Sequence, residues 1–215
     1  MNLIILTLIG VVAILGVLLT QRRNKSVESL ALKIGFQALP TDQIEHILGK
    51  AYTKTFLHAK GDKFIVPSFF HHKGAIGKEY LLDWQFSSSG NEHIMFQRVL
   101  FVWELKIDSI PPFVVESLNP LERVSQEDLL EAGFHALSPN LKTYFKTPDP
   151  SGLDQMMGQI IRILLRNYPK LCLEYHQGFL FAYQNQSKAI GEGSEIFYRD
   201  LRRELLEMHG RGPKA

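Results

Sequence analysis

The sequence predicts an α+β fold, in which one N-terminal transmembrane helix precedes an antiparallel sheet packed with several helices. Three observations support this prediction. The first 21 residues carry no charged side chain. The middle of the chain has runs that are rich in aromatic and β-branched residues and are bounded by Gly, Pro and Ser, which is typical of strands. The last third repeats apolar residues at the spacing of an amphipathic helix.

Residues 1–21 have the length and composition of a membrane anchor. A bilayer core of about 30 Å needs about 20 apolar helical residues, and this run supplies them. The alternative is a cleaved secretory signal, which would have a basic region first, a shorter apolar core and a small-x-small site after it. The residues that follow, 20–25, read TQRRNK and contain no such site. We therefore predict an anchor that is retained.

Arg22, Arg23 and Lys25 form a basic juxtamembrane segment at 22–25 and are the predicted determinants of topology. Positive charge beside a span tends to stay in the cytoplasm, and no Lys or Arg precedes this span. The prediction is a single-pass protein of the inner cell membrane, with its C-terminal domain in the cytoplasm. Cys172 is the single cysteine, which excludes an internal disulfide and fits a reducing compartment.

The remainder of the chain is long enough for one hydrophobic core. We assign 26–208 to a single α+β globular domain and 209–215 to a flexible tail. The 24 Lys and Arg residues nearly balance the 22 Asp and Glu residues, so no charge excess indicates a nucleic-acid partner. The predicted partner is therefore the membrane, with a protein partner left open.

Two helices are predicted between the anchor and the sheet. Ser26 is expected to cap the first, which ends at Gly35, a glycine in the usual C-terminal position. The second begins after Pro40, with Thr41 or Asp42 as its cap. The residues expected to face inward from these helices are Val27, Leu30, Ala31, Ile34, Ile44, Ile47 and Leu48.

The middle of the chain predicts three strands, DKFIV, KEYLLDWQF and HIMFQRVLFVWELKI, and a hairpin loop at 87–92 between the last two. The third strand has apolar residues on one face and a mixed opposite face, which is typical of a strand buried mainly on one side. In SIPPFVVES, Pro111 and Pro112 confine the segment to an edge or to a piece that leaves the sheet. KTYFKT predicts a further strand.

The C-terminal third predicts two helices and a hairpin. The helix that opens with PDPSG buries an apolar face and ends at Pro169. KLCLEY and GFLFAYQ pair around Gln177 and Gly178, which signal a tight turn. The last helix covers about 194–208 and buries Phe197, Leu201, Leu205 and Met208. Two ion pairs at i, i+4 are expected on its outer face: Glu195 with Arg199 and Arg203 with Glu207.

This order of elements resembles a broad group of uncharacterised bacterial proteins that carry one N-terminal span and a soluble α+β domain. The resemblance runs through KEYLLDWQF, VLFVWEL, PPFVVE and LCLEYHQGFLFAY, and it covers most of residues 26–208. It is a pattern of strands and not a signature motif. The group has no known activity, so the resemblance implies the fold and carries over no site residue.

Cys172, Glu174 and His176 are the most tempting group of reactive side chains. In a strand these alternate residues point to one side. Residues four apart in a strand lie about 13 Å apart, whereas a Cys–His nucleophile pair needs hydrogen-bond reach. The favoured interpretation is therefore a half-exposed strand face, and we assign no catalytic, cofactor-binding or metal-binding residue.

The neighbouring segments 67–73 and 74–79 are two further candidate sites. His71 and His72 are interpreted as loop histidines, because no Cys or acidic partner lies at a recognisable ligand spacing. GAIGKE, at 74–79, is too short for a phosphate-binding loop and lacks the strand-to-helix context. PSFFHHK, at 67–73, could dip its phenylalanines into the bilayer interface, but such a pair more often ends a strand and covers the core.

The leading functional hypothesis is a membrane-anchored interaction or scaffolding domain, without a cofactor. The alternative is a membrane-tethered hydrolase with scattered cleft carboxylates, for which Asp83, Glu104 and Glu116 are candidates. The favoured interpretation of these three is exposed or salt-bridged acids. A deep pocket with converging titratable groups would favour the enzyme, and a flat apolar patch or a free strand edge would favour interaction.

Overall fold

A computed structural model describes residues 3–53, 61–88, 95–105, 110–117, 130, 133–138, 143–153, 157–184 and 192–210. Helices and an antiparallel sheet make up these ranges, which confirms the α+β class. The helices are α1 (Leu3–Lys33), α2 (Ile44–Thr53), α3 (Pro150–Leu153), α4 (Gln159–Asn167) and α5 (Glu192–Gly210), with a 3-10 turn at Thr41–Gln43. The strands are β1 (Gln37–Leu39), β2 (Gly61–Gly74), β3 (Gly77–Ser88), β4 (Met95–Glu104), β5 (Phe113–Ser117), β6 (His135–Ser138), β7 (Thr143–Lys146), β8 (Leu171–His176) and β9 (Phe179–Gln184).

The described strands form one sheet in the order β1-β2-β3-β4-β9-β8-β5-β7-β6, and each neighbouring pair is antiparallel. The predicted β3–β4 pairing is confirmed, although residues 89–94 lie outside the described ranges. The β8–β9 turn is also confirmed, because Gln177 and Gly178 both have positive φ, at 50° and 85°. Such a pair matches the right-handed twist of the flanking strands.

The edge position predicted for the proline-flanked segment is wrong. β5 lies inside the sheet, between β7 and β8, and all five of its residues are buried. Pro111 and Pro112 end just before the strand begins at Phe113, so neither proline removes a donor from the ladder. A further short strand, β6, was not predicted.

Both faces of the sheet are buried, so the prediction of a one-sided β4 is wrong. On the first face, Phe101 and Trp103 pack with residues of α1, α4 and α5. On the second face, Leu100 and Val102 are each only 1 % exposed and pack with residues of α2. A strand covered on both sides carries apolar residues in nearly continuous sequence, which matches VLFVW.

α1 is one continuous helix of 31 residues, so the predicted helix start at Ser26 is wrong. Ser26 lies inside the helix, where its hydroxyl donates to the Arg22 carbonyl at 2.9 Å. Beyond this point Val27, Leu30 and Ala31 are buried in the first-face core, as predicted. The basic juxtamembrane segment at 22–25 is therefore helical and joins the N-terminal run directly to the domain.

The described side chains of α1 are those of Thr7, Gly10 and Val11 and all those from Ile14 onward. Among the described residues, no helix combines the length and apolar character that crossing a bilayer requires.

The end of α1 follows the sequence prediction closely. Gly35 has a φ of +87°, and the Phe36 amide donates to the Ala31 carbonyl at 2.8 Å. This is the hydrogen-bond pattern of a Schellman C-cap. The second helix also begins after Pro40, but no side chain caps the 3-10 turn that opens it, so the capping role given to Thr41 or Asp42 is not observed.

β2 is longer than predicted and includes PSFFHHK. Phe69 and Phe70 are 1 % and 5 % exposed and lie on opposite faces of the sheet, so they belong to the core and do not reach a bilayer. His71 and His72 are strand residues, which corrects their interpretation as loop histidines. A register irregularity between Ile65 and Ser68 accommodates the proline within the strand.

The C-terminal helices match their predicted apolar faces. α4 buries Ile160, Ile161 and Leu164 and ends at Asn167, two residues before the proline. α5 buries Phe197, Leu201 and Leu205, with Met208 partly buried. The chain beyond Gly210, which was predicted as part of a flexible tail, lies outside the described ranges.

Candidate functional site

The three predicted topology determinants do not share one environment. Arg22 and Lys25 are exposed at the surface of α1. Arg23 faces the sheet, and its Nε and Nη2 donate to Asp83 Oδ1 of β3 at 3.2 and 2.5 Å. The Asp83 side chain is fully buried, and the Arg23 side chain is 15 % exposed. Arg23 therefore has a structural role in addition to any effect on topology.

Asp83 is held from two sides. Arg23 contacts one carboxylate oxygen, and Gln85 Nε2 donates to the other at 3.3 Å. A carboxylate buried on a central strand needs such partners, because removal from water is costly for an unpaired charge. The ion pair therefore fixes α1 to β3 at the point where α1 enters the domain. We call this the anchor end of the sheet.

An open pocket of about 450 Å³ lies beside this ion pair, and we call it the anchor-side pocket. The charged groups among its described lining residues are all cations: Arg23, Arg98 and Lys170. Its apolar lining includes Phe101, Ile196 and Phe197, and the start of α5 forms one side. Asp83 neutralises Arg23, and Arg98 shares its face of β4 with Leu100 and Val102, on the other side of the sheet from Phe101.

The pairing of β4 with its two neighbouring strands explains the position of the anchor-side pocket. β4 pairs with β3 from Ser87 opposite Met95 onward, whereas its described register with β9 begins only at Phe101. The first half of β4 therefore extends past its paired region with β9. The pocket is lined from this half of β4 and from Gln184, the last residue of β9.

At the opposite end of the sheet, a buried carboxylate binds two residues of α5. Glu79 of β3 is fully buried. Tyr198 Oη donates to Glu79 Oε2 at 2.5 Å, and Arg202 Nε donates to Oε1 at 3.1 Å. Burial, together with the hydrogen bond to Glu79, raises the pKa of Tyr198 well above its usual range, so the phenol keeps its proton and remains a donor. A Cβ at Gly74 would clash with this carboxylate, which explains the glycine.

A second pocket, of about 540 Å³, opens beside this network, and we call it the far-side pocket. Its charged lining is also cationic, but each of these cations has an acid partner. Lys33 and Arg199 both bridge Glu195, at 2.6 and 2.7 Å. The other two pairs are Arg202 with Glu79 and Arg203 with Asp200. The far-side pocket is thus close to neutral.

The pairs on α5 agree only in part with the sequence prediction. The expected pair of Glu195 with Arg199 is confirmed. Arg203 instead contacts Asp200 at 3.1 Å and Glu204 at 3.3 Å, although Glu207 is close enough to raise its pKa further. The main cause of that raised pKa is the hydrogen bond to Glu204.

The face that carries Cys172 is buried, so its interpretation as half-exposed is wrong. Cys172 and Glu174 are both fully buried. Cys172 Sγ lies 3.5 Å from Glu116 Oε1, and Tyr183 Oη donates to Glu116 Oε2 at 3.1 Å. The predicted alternation of β8 is confirmed, and the register sets Cys172 and His176 four residues apart along the strand. His176 instead lies 3.8 Å from Glu174.

The three acids considered for a cleft are not brought together. Asp83 lies on the first face, whereas Glu104 and Glu116 lie on the second. Glu104 is near Lys78, at 3.7 Å, and Asp83 binds Arg23, so both fit the salt-bridged interpretation. Glu116 is not exposed, because it is buried beside Cys172 and accepts a hydrogen bond from Tyr183.

The two histidines of β2 point to opposite sides of the sheet. His72 Nδ1 lies 3.0 Å from the Gly35 carbonyl, and its ring packs on Phe36 with centroids 5.5 Å apart. GAIGKE forms the β2–β3 turn, in which Ile76 is buried. Within the described residues no group of three or more His, Cys, Asp or Glu side chains could hold a metal ion.

Sequence reasoning missed Glu79, Tyr198 and Arg202. A signal for the first was present, because Glu79, Asp83 and Gln85 alternate with the same period as the buried Leu81. Polar residues on a core-facing register indicate buried partners. The distant partners on α5 left no such signal in the sequence.

Comparison with known proteins gave no relatives. No protein-family model matches the chain, and no curated protein or solved structure is significantly similar to it.

Proposed function

We propose that this chain is a single-pass membrane protein whose folded domain is a binding module held rigidly at the cytoplasmic face of the inner membrane. The observation that carries the proposal is the continuity of α1. One helix of 31 residues joins the uncharged N-terminal run to the core of the domain without a break. A module tied in this way would keep one end of its sheet toward the membrane.

The exposed side chains of α1 support an anchor. Six large apolar residues on its N-terminal part are about half exposed or more: Val11, Ile14, Leu15, Val17, Leu18 and Leu19. The domain covers none of the described side chains between Ile14 and Gln21. A helix that is apolar around its circumference needs an apolar environment, and a bilayer supplies one.

A binding role is favoured over the hydrolase alternative by the arrangement of the acids. A hydrolase of the kind considered would need two carboxylates at one cleft. Asp83 and Glu79 both lie on the first face, but each is already bound by cationic or hydroxyl donors. The anchor-side pocket has cations and apolar surface instead, which suit recognition of an anionic ligand.

The orientation can be tested with a reporter fused after Ala215 in the full chain. Arg22 and Lys25 are the residues to replace, because Arg23 also binds Asp83 and its loss would disturb the fold. We expect a cytoplasmic signal from the native chain. Replacement of Arg22 and Lys25 by Gln, with Lys residues added beside Asn2, is expected to invert part of the population.

The matched control replaces Lys73 and Lys78, two exposed lysines at the far end of the sheet, and it should leave the reporter cytoplasmic. A reporter signal from outside the cytoplasm in the native chain would contradict the proposed orientation. Extraction of the native chain from membranes by alkaline carbonate would contradict the anchor itself.

A further inference from the structure

We propose that the anchor end of the sheet enters the bilayer interface, so that strands β2, β3 and β4 contact lipid beside α1. The partner of this surface is the layer in which the headgroups meet the acyl chains. This contact rests on the proposed membrane anchor and adds a second attachment of the domain to the membrane. Three features support it, namely the direction of α1 across the sheet, the length of these strands and the exposed apolar residues near them.

Two contacts fix the direction in which α1 crosses the sheet, and the first is the Arg23–Asp83 ion pair. In the second, the Gly35 carbonyl just beyond the helix end lies 3.0 Å from His72 Nδ1. His72 pairs with Glu79, which is four residues from Asp83 and about 13 Å from it along β3. The chain from Arg23 to Gly35 advances about 18 Å along the helix axis. Toward its N-terminus, α1 therefore runs obliquely in the direction in which β3 continues past Asp83.

This geometry sets the height of the strands relative to the bilayer. Arg23 lies two residues beyond Gln21, the last residue of the predicted span, and thus about 3 Å further along the helix axis. Ile65 of β2 pairs with Gln85, which lies two residues past Asp83 and about 7 Å further along the strand. Because the helix and the strands cross obliquely, this step is about 5 Å along the helix axis. Ile65 therefore lies at about the level of Gln21, where the headgroups meet the hydrocarbon core.

The strands continue beyond this level. β3 extends to Ser88 and is paired with β2 and β4 almost to that point, so its backbone polar groups are satisfied within the sheet. In this stretch Phe64, Phe86 and Phe96 occupy one cross-strand row, because Phe86 pairs with both of the others. Interfacial segments place such residues about 5–10 Å into the boundary between headgroups and acyl chains. The sequence at the end of these strands therefore suits a lipid surface.

Exposed apolar side chains occur at this end of the sheet on two different elements. Ile65 is 55 % exposed, and Ile196 of α5, which lines the anchor-side pocket together with Arg23, is 49 % exposed. One exposed isoleucine is ordinary in a folded domain. Two of them at the end where α1 enters the domain lie where a bilayer would remove their apolar surface from water.

The test places an environment-sensitive fluorophore on one introduced cysteine of the full chain. The labelled chain is reconstituted into phosphatidylcholine vesicles that contain a lipid with a nitroxide near the top of its acyl chain. Ile65→Cys reports on the strands, Leu18→Cys on the anchor, and Leu32→Cys is the control. These positions are 55, 54 and 64 % exposed, so a label there leaves the core intact. Cys172 is fully buried and should not react in the folded chain.

Leu32 is a matched control because it is an exposed apolar residue at a different height. It lies eleven residues beyond Gln21, or about 16 Å along the helix axis, which is outside a headgroup layer of about 5–8 Å. We expect the quenching at position 65 to be several times stronger than at position 32 and to approach that at position 18. Near-ultraviolet circular dichroism verifies that the labelled chains are folded.

Equal quenching at positions 65 and 32 would overturn the proposed contact. Strong quenching at both would indicate a domain that lies flat on the bilayer, and weak quenching at both would indicate a domain held clear of it. Position 18 separates these outcomes from failure of the anchor. Quenching at position 18 with equal values at the other two contradicts the strand contact alone, whereas no quenching at position 18 contradicts the anchor and the contact that rests on it.

Discussion

The two ends of the sheet both join an α1 cation to a carboxylate, but they do so with different charge balances. At the anchor end, the buried Asp83 neutralises Arg23, and Lys170 adds a further cation. At the far end, Lys33 shares the nearly buried Glu195 with Arg199. The cations of the far end are matched by its own ion pairs, whereas at the anchor end Lys170 lies beside the Arg23–Asp83 pair. The difference predicts that a substitution in the far-end network costs more stability than one in the anchor-end ion pair.

The largest expected loss of stability is at the far end, where Glu79 binds Tyr198 and Arg202 within the domain. Glu79→Gln should lower the free energy of unfolding by about 3 kcal/mol, because it removes the buried charge and replaces one of the two oxygens that accept from Tyr198 and Arg202 by an amide donor. Urea unfolding followed by tryptophan fluorescence measures this change. Glu104→Gln on the neighbouring strand is the control, and its long contact with Lys78 predicts a loss of at most about 0.5 kcal/mol. Equal losses in the two variants would contradict this account.

The next effect is at the anchor end. Asp83→Asn should cost about 2 kcal/mol, because Arg23 loses its charged partner but can still turn toward solvent. Arg22→Gln, which changes the exposed neighbour, should leave the free energy of unfolding within about 0.5 kcal/mol of the native value. If Arg22→Gln were as costly as Asp83→Asn, the ion pair would not be what holds α1 to the sheet.

N-terminal truncation also tests whether the Arg23–Asp83 ion pair stabilises the domain. A chain that begins at Arg22 keeps the ion pair, and a chain that begins at Ser26 loses it and leaves Asp83 buried without its cation. Both should fold, since Val27, Leu30 and Ala31 remain to cover the first face. The shorter chain should be less stable by about 2 kcal/mol in chemical unfolding. Equal stability of the two chains would show that α1 contributes only its apolar residues.

The smallest expected effect on stability comes from Glu195 and depends on pH. The hydrogen bond from Lys33 holds the pKa of Glu195 below its ordinary value of 4.5. A lowered pKa in the folded state adds stability that is fully present above pH 4.5 and is lost as the pH falls through the folded-state value. When the pH falls from about 6 to about 3.5, the free energy of unfolding should therefore decrease less in Glu195→Gln than in the native chain. Thermal unfolding at the two pH values measures the difference, and parallel losses would exclude this contribution.

Local patterns predicted much of the fold. Gly35 and the pair Gln177–Gly178 were found because their backbone conformations favour particular residues. The apolar face of α4 was found because its spacing is regular. The errors arose where tertiary contacts decide. Ser26 has the chemistry of a cap, but its hydroxyl donates to the Arg22 carbonyl and the helix continues into the core at Val27.

The site was less predictable than the fold. Arg23 was chosen for its position beside the apolar run, which is a local feature, and its partner Asp83 lies 60 residues away. Cys172 and Glu116 lie in separate strand patterns, and only the order β9-β8-β5 brings them together. The anchor-side pocket depends on where β4 and β9 cease to pair, and a single strand pattern carries no such information.

The central claim is that the anchor end of the domain faces the membrane, and one measurement tests it most directly. Ile196→Cys places a label at the rim of the anchor-side pocket, and Lys73→Cys places one at the far end. Cys172 is fully buried, so a label on the folded chain should react only at the introduced cysteine. In the full chain reconstituted into vesicles, fluorescence quenching by lipids with a nitroxide on the headgroup should be several times stronger at position 196 than at position 73. Equal quenching, or stronger quenching at position 73, would contradict the account.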